Sequence, residues 1–192
     1  TMQLANTSAI VTGGASGLGA ATAAALAAKG ANVFALDLQS SIDNASPPEG
    51  VTLVAANVTA EDEVRAAVAL ASESNPLRTA VNCAGIGTAG RILKRGAVGD
   101  ISSFRRTIEV NLIGTYTVLA VAAEAIAQTE SDEHGQRGVI VNTASIAAFD
   151  GQIGQAAYAS SKGGVVGLTL PAARDLAQFG IRVNTVAPGI VD

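Results

Sequence analysis

Short apolar runs alternate with longer, alanine-rich stretches along the whole chain. Residues 8–12 (Ser-Ala-Ile-Val-Thr) form an apolar run closed by Gly13-Gly14, as in a strand buried on both faces of a parallel sheet. The same pattern predicts strands at 31–37, 51–56, 79–82, 139–143 and 181–187. Helices are predicted between them at 17–29, 61–72, 104–128 and 155–178. The first stops at Gly30, a residue type that closes helices. The second opens on Glu61, Asp62 and Glu63, where the helix dipole favours acids. Polar or Gly/Pro-rich stretches at 38–50, 86–101 and 129–138 read as loops. Strand–helix alternation places the chain in the α/β class, a doubly wound parallel sheet with helices on both faces. The run 181–187 would lie at a bare sheet edge, which invites association. A further C-terminal strand is therefore expected to be missing from this sequence.

Composition narrows the classes. With 192 residues, 48% hydrophobic and 15% charged, the chain is expected to form one folded domain over 1–192. Its net charge of −4 gives no basic footprint for a nucleic acid. A single cysteine, Cys83, excludes an intramolecular disulfide and a cysteine-based zinc site, and fits a reducing, cytoplasmic setting. No metal is expected. No stretch approaches the roughly 18 apolar residues of a membrane span. The start lacks the charged-then-apolar pattern of a secretory leader, and Thr1 ahead of Met2 reads as a cloning remnant or a processing scar.

The turn after the first strand carries Thr12-Gly13-Gly14-Ala15-Ser16-Gly17-Leu18-Gly19. Glycines there let the backbone turn tightly and let a pyrophosphate approach the N–H groups at a helix start. The spacing is a longer form than G-x-G-x-x-G, and a glycine-rich turn can also be only a turn. Asp37 ends the second strand 18 residues after Gly19, close to where a ribose-binding acid stands in a Rossmann-type sheet. A carboxylate there accepts from the adenosine ribose hydroxyls and repels a 2′-phosphate. Neither Leu38 nor Gln39 is basic, and the glycine loop has no Lys or Arg, so NAD is favoured over NADP.

The chain has two tyrosines and three lysines, so a Tyr four residues before a Lys arises by chance about 0.03 times. It occurs at Tyr158-Ala-Ser-Ser-Lys162. On a helix that spacing puts both side chains on one face. An ammonium beside a phenol stabilises the phenolate, which suits a general acid/base; the alternative is a packed tyrosine with a solvated lysine. Ser145 follows the fifth strand, at the carboxyl end where ligands bind in open α/β sheets, and can hold a substrate oxygen. Cys83 reads as a small residue near the cofactor rather than a nucleophile, and His134 as a surface residue.

Taken together, the glycine loop, Asn82-Cys83-Ala84-Gly85, Asn111, Ser145, Tyr158-x-x-x-Lys162 and Pro188-Gly189 resemble the short-chain dehydrogenase/reductase family over the whole chain. The resemblance implies that Tyr158 donates and accepts the proton and that Lys162 assists it while binding the nicotinamide ribose. Ser145 would orient the substrate oxygen and Asn111 would complete a water-mediated proton relay. Gly13, Ser16, Gly17, Leu18, Gly19 and Asp37 would hold the cofactor. Asn82, Cys83, Ala84 and Gly85 would line its adenosine side, with Pro188 and Gly189 beside the nicotinamide. Asn57, ahead of Val58, stands where the family commonly has an aspartate for the adenine.

Residues 135–149, 151–158 and 168–176, with Pro171 inside a helix, are similar to the type II 3-hydroxyacyl-CoA dehydrogenases. That implies NAD-linked oxidation of an (S)-3-hydroxyacyl-CoA to the 3-oxoacyl-CoA, with Gln152 and Gln155 near the substrate. The basic residues Arg91, Lys94 and Arg95 would meet CoA phosphates or form a solvated loop. Glycines 163, 164 and 167 would allow another helix to approach, as in the homotetramers of this family. Other readings are a hydroxysteroid or secondary alcohol dehydrogenase, a 3-oxoacyl-carrier-protein reductase, and a catalytically silent NAD-binding scaffold. The family's substrate loops follow Pro188-Gly189, and that region is expected to be absent.

Overall fold

A computed structural model describes residues 3–190 and builds them around six parallel strands. These are β1 (Ser8–Thr12), β2 (Asn32–Asp37), β3 (Val51–Ala55), β4 (Leu77–Asn82), β7 (Gly138–Thr143) and β8 (Ile181–Val186), in the order β3-β2-β1-β4-β7-β8. The expected scar at Thr1-Met2 lies outside the described residues, as do the last two residues of the expected domain. Helices α1 (Gly17–Ala27), α3 (Glu61–Ser72), α5 (Gly114–Ala127) and α6 (Ala156–Ala177) cover the sheet.

Successive strand residues point to opposite faces, so each central strand feeds two cores. Ile10, Phe34, Leu36, Ala80 and Ile140 pack with α3, α5 and α6; Ala9, Val11, Val33, Ala35 and Val81 pack with α1. This is why the central runs are apolar without alternation. Ile10, Leu36, Leu77 and Ile140 are fully buried, each worth about 1.5–3 kcal/mol. At the outer strand β8 the pattern alternates, with Ile181 and Val183 inward and Arg182 and Asn184 exposed. The chain winds outward from β1 through β2 to β3, then crosses back to β4 on the other side of β1. The reversal opens a crevice at the carboxyl ends of β1 and β4, where α/β sheets take ligands.

Three predicted elements need correction. Within 38–50 lies a helical turn, α2 (Gln39–Ile42). Within 86–101 lies a hairpin, β5 (Leu93–Lys94) with β6 (Ala97–Val98), whose turn residues Arg95 and Gly96 have φ of 52° and 81°. The long helix begins at 101 rather than 104, as α4 (Ile101–Ile108), because Asp100 caps it by accepting from the Ser103 N–H at 3.0 Å. That bond and one from Ser102 Oγ hold the Asp100 carboxyl below its ordinary range, the Ser102 bond most strongly. A π-helical segment, Glu109–Ile113, then joins α4 to α5. The 27-residue rod Ile101–Ala127 is long and apolar enough to cross a membrane by length and composition, which the sequence reading missed. Half of its most apolar stretch is buried inside the fold.

Candidate active site

The glycine loop is built without room for side chains. Thr12 Oγ1 accepts from the Cys83 and Ala84 N–H groups, each at 3.1 Å, and so ties the loop's root to the end of β4. Gly13 has φ +67°, and a Cβ there would stand 2.9 Å from the Ala84 backbone. A Cβ on Gly19 would run into the Gly13 carbonyl. Ser16 precedes α1 but makes no side-chain cap, so the first N–H groups of the helix remain available to a ligand. Gly19→Ala is accordingly expected to cost about 1–3 kcal/mol of stability through overpacking and to weaken dinucleotide binding at least about tenfold. A thermal melt and a fluorescence titration with NADH check both.

These glycines open onto a cleft of about 470 Å³. Gly13, Ser16, Gly17, Leu18, Gly19, Asp37, Asn57, Val58, Cys83, Ala84 and Gly85 line it. The cradle, the free helix N-terminus and the carboxylate at its rim fit a dinucleotide. Asp37 is fixed there, its Oδ2 accepting from Ala15 N at 3.1 Å and its Oδ1 from Leu38 N at 2.8 Å. The Asn57 Oδ1 is already used, accepting from Thr59 N and Oγ1 at 3.1 and 2.9 Å. Its amide N–H₂ is the part left for a base edge.

Asn82 departs from the expectation that it lines the adenosine side of the cofactor. It does not line the cleft: it is buried inside the sheet, where its Nδ2 donates to Asn142 Oδ1 at 2.9 Å. The two residues face each other in the β4–β7 register, so Asn82 joins strands. Cys83 lines the cleft half-buried; burial pushes its thiol up, against a weaker opposing bond from Thr143 Oγ1 at 3.8 Å. That environment is wrong for a nucleophilic thiolate.

Tyr158 and Lys162 stand one turn apart on α6, with Lys162 Nζ 5.8 Å from the centre of the tyrosine ring. Lys162 is only 4% exposed, and burial pushes its ammonium below the ordinary lysine range. Its Nζ donates to the Thr143 carbonyl at the end of β7, at 2.6 Å, which leaves two of its three protons for other partners. Ser145 lies two residues further, half-buried, and its Oγ accepts from Ala147 N at 3.2 Å to start the 3₁₀ turn Ile146–Ala148, which packs on α6. Pro188 reaches the same turn, its carbonyl accepting from Ile146 N at 3.0 Å, with Gly189 adjacent.

Asn111, fully buried in the π segment, spends its amide on the protein. Its Oδ1 accepts from Ile86 N at 2.8 Å, and its Nδ2 donates to Ile86 O and Ser161 Oγ, both at 3.0 Å. Ser161 Oγ in turn donates to the Tyr158 carbonyl at 2.7 Å. The side chain thus braces the loop after β4 against the turn that carries Tyr158.

Gln152 and Gln155 line a second hollow of about 440 Å³ with Arg91, Ile92, Leu93 and Ile153, apart from the glycine-lined cleft. The Gly90 N–H donates to Gly154 O at 2.8 Å and holds its two sides together. Arg91, Lys94 and Arg95 are exposed on the hairpin, and His134 is exposed as expected. Among the glycines of α6, a Cβ on Gly164 would stand 2.6 Å from Leu112, so this glycine serves packing within the chain; only Gly167 faces open space. Sequence reasoning missed Leu38, Ser41, Ile86, Arg106 and Val110, which also line the cleft. The spacing of Arg106 and Val110, i and i+4 just before Asn111, was a usable signal for one helix face. Among the described residues, no group of three or more His, Cys, Asp or Glu is placed to hold a metal ion.

The family model "short chain dehydrogenase" matches residues 7–192. Human 3-hydroxyacyl-CoA dehydrogenase type-2 is 50% identical over 188 residues, which are 95% of this chain and 72% of that protein. The Drosophila melanogaster protein of the same name is 48% identical over 191 residues, 96% of this chain and 75% of its own length. The crystal structure of 3-hydroxyacyl-CoA dehydrogenase type-2 from Mycobacterium avium superposes with a TM-score of 0.90 at 46% identity, covering 100% of this chain and 78% of that one.

Proposed function

The chain belongs to the short-chain dehydrogenase family, oxidoreductases that work with a nicotinamide cofactor, and on that premise we propose that it oxidises (S)-3-hydroxyacyl-CoA to 3-oxoacyl-CoA with NAD. The observation that carries the reading is the pair Tyr158–Lys162, set one turn apart and anchored through Lys162 to Thr143 at the ligand end of the sheet. The names of relatives at 50% and 48% identity support the thioester substrate.

Gly13, Gly17, Leu18, Gly19 and Asp37 would hold the dinucleotide, with Asp37 on the adenosine ribose. Bound there, its nicotinamide ring supplies the acceptor for a hydride. Ser145 orients the substrate hydroxyl, and Tyr158 Oη takes that hydroxyl's proton as the C–H bond is lost with its electron pair. Lys162 stabilises the phenolate that stands ready before the transfer, and Asn111 keeps the Tyr158 turn in place. Asp37, with no basic residue at Leu38 or Gln39, supports NAD over NADP. The exposed cations of the hairpin, beside the hollow that Gln152 and Gln155 line, are suited to CoA phosphates. An apolar groove between α5 and α6, lined by Tyr116, Leu119, Ala123, Leu168, Leu176 and Phe179, supports a homotetramer.

The test is NADH formation on both (S)- and (R)-3-hydroxybutyryl-CoA, a simple secondary alcohol and a hydroxysteroid, each with NAD and with NADP. We expect the (S)-thioester with NAD to exceed every other pair at least about tenfold in kcat/KM. Turnover confined to the alcohol or steroid would discard the thioester, and preference for NADP would discard the role of Asp37.

A further inference from the structure

One acidic and one basic side chain line the dinucleotide cleft, Asp37 and Arg106. The glycine loop adds no lysine or arginine. A dinucleotide brings the negative charge of its diphosphate to a wall that already holds one carboxylate. The N–H groups at the start of α1 meet part of that charge. Among the described residues that line the cleft, Arg106 is the only cationic side chain.

Its placement is fixed by the fold. Arg106 stands on α4 one turn before Val110, and both line the same wall. The helix beneath it is held at its start by the Asp100 cap. The next residue, Thr107, is fully buried, donates to Ser103 O at 2.8 Å and meets Thr88 Oγ1 at 2.7 Å, which ties α4 to the loop after β4. Arg65, Arg78 and Arg137 are each engaged by a carboxylate or a backbone carbonyl. Among the described residues, no hydrogen bond or ion pair engages the Arg106 guanidinium. Arg105, beside it on the same helix, does not line the cleft.

We propose that Arg106 is a cofactor-binding residue whose guanidinium offsets the combined charge of the diphosphate and Asp37. The proposal rests on the assignment of this cleft to a nicotinamide dinucleotide and adds to it the one cationic side chain among the described residues of its lining. It acts by charge, so it depends on ionic strength and on the presence of phosphate in the ligand.

The experiment is calorimetric titration of the protein with ADP-ribose and with adenosine, at low and at high salt. Arg106→Gln and Arg105→Gln are compared, since both remove one positive charge from the same exposed helix. ADP-ribose binding by the unaltered protein tests the cleft assignment by itself, and its absence would overturn that assignment and this proposal together. With binding present, Arg106→Gln is expected to weaken ADP-ribose about five- to twentyfold at low salt and far less at high salt. Arg105→Gln should change it less than about twofold, and adenosine should bind all three proteins alike. Equal ADP-ribose affinity in the two variants, or an equal loss of adenosine, would overturn the role of Arg106.

Discussion

Tyr158→Phe is expected to lower kcat for 3-hydroxyacyl-CoA oxidation by about 10²–10⁴-fold, the range removed with a general acid/base, and to leave NADH affinity within about threefold. The substitution keeps the ring that stands 5.8 Å from Lys162 Nζ and removes only the hydroxyl. Ser161 bonds the Tyr158 backbone carbonyl rather than its side chain, so the turn stays in register. Lys162 keeps its bond to Thr143. The loss should therefore fall on the chemical step, and the thermal melt should move little. Steady-state kinetics with a parallel NADH titration decide the matter. A variant that keeps more than about a tenth of the activity would remove Tyr158 from proton transfer.

The strands and the glycine-lined wall of the cleft were legible because their constraints are local. β1 must be apolar at Ala9, Ile10 and Val11, which face two cores, and the run 8–12 says so directly. Gly13 and Gly19 are needed where backbones come too close for a Cβ, and glycine spacing records that need in one short stretch. Asp37 is equally readable, as a carboxylate closing an apolar run.

What stayed hidden depends on contacts distant in sequence. Asn82 looked like a cofactor residue from its neighbours in Asn82-Cys83-Ala84-Gly85; its side chain turns into the sheet because Asn142 stands opposite it 60 residues later. The π segment at Glu109–Ile113 places Asn111 where its amide can reach both Ile86 and Ser161, and no periodicity of apolar residues announces one extra residue in a helical turn. The hairpin is two residues on each side, too short for alternation to register, and its turn uses Arg95-Gly96 rather than the usual Asn-Gly pair. The apolar rod Ile101–Ala127 escaped notice as one unit because its α4 portion carries Arg105, Arg106 and an exposed polar face.

Lys162→Met should separate function from stability most sharply. Met fills a similar volume without a charge, and the ammonium it replaces is 4% exposed with no carboxylate bonded to it. Burial pushes the lysine below its ordinary value in the folded protein, so the unfolded chain binds more protons between that depressed value and about 10.5. Stability of the unaltered protein therefore rises with pH across that window, and the cost of the buried charge is felt fully below it. The Met variant lacks this slope. It is expected to melt about 2–4 °C higher at neutral pH, a gain of about 1 kcal/mol for a domain of this size, and the advantage should shrink as pH approaches 10. Activity should move the other way and fall about 10²-fold or more, because the phenolate of Tyr158 loses its neighbouring cation. A Met variant that is less stable at pH 7 would mean that the Thr143 bond outweighs the burial of the charge. One that is active would leave Tyr158 to work without an ammonium, and the proton-transfer scheme would need another cation.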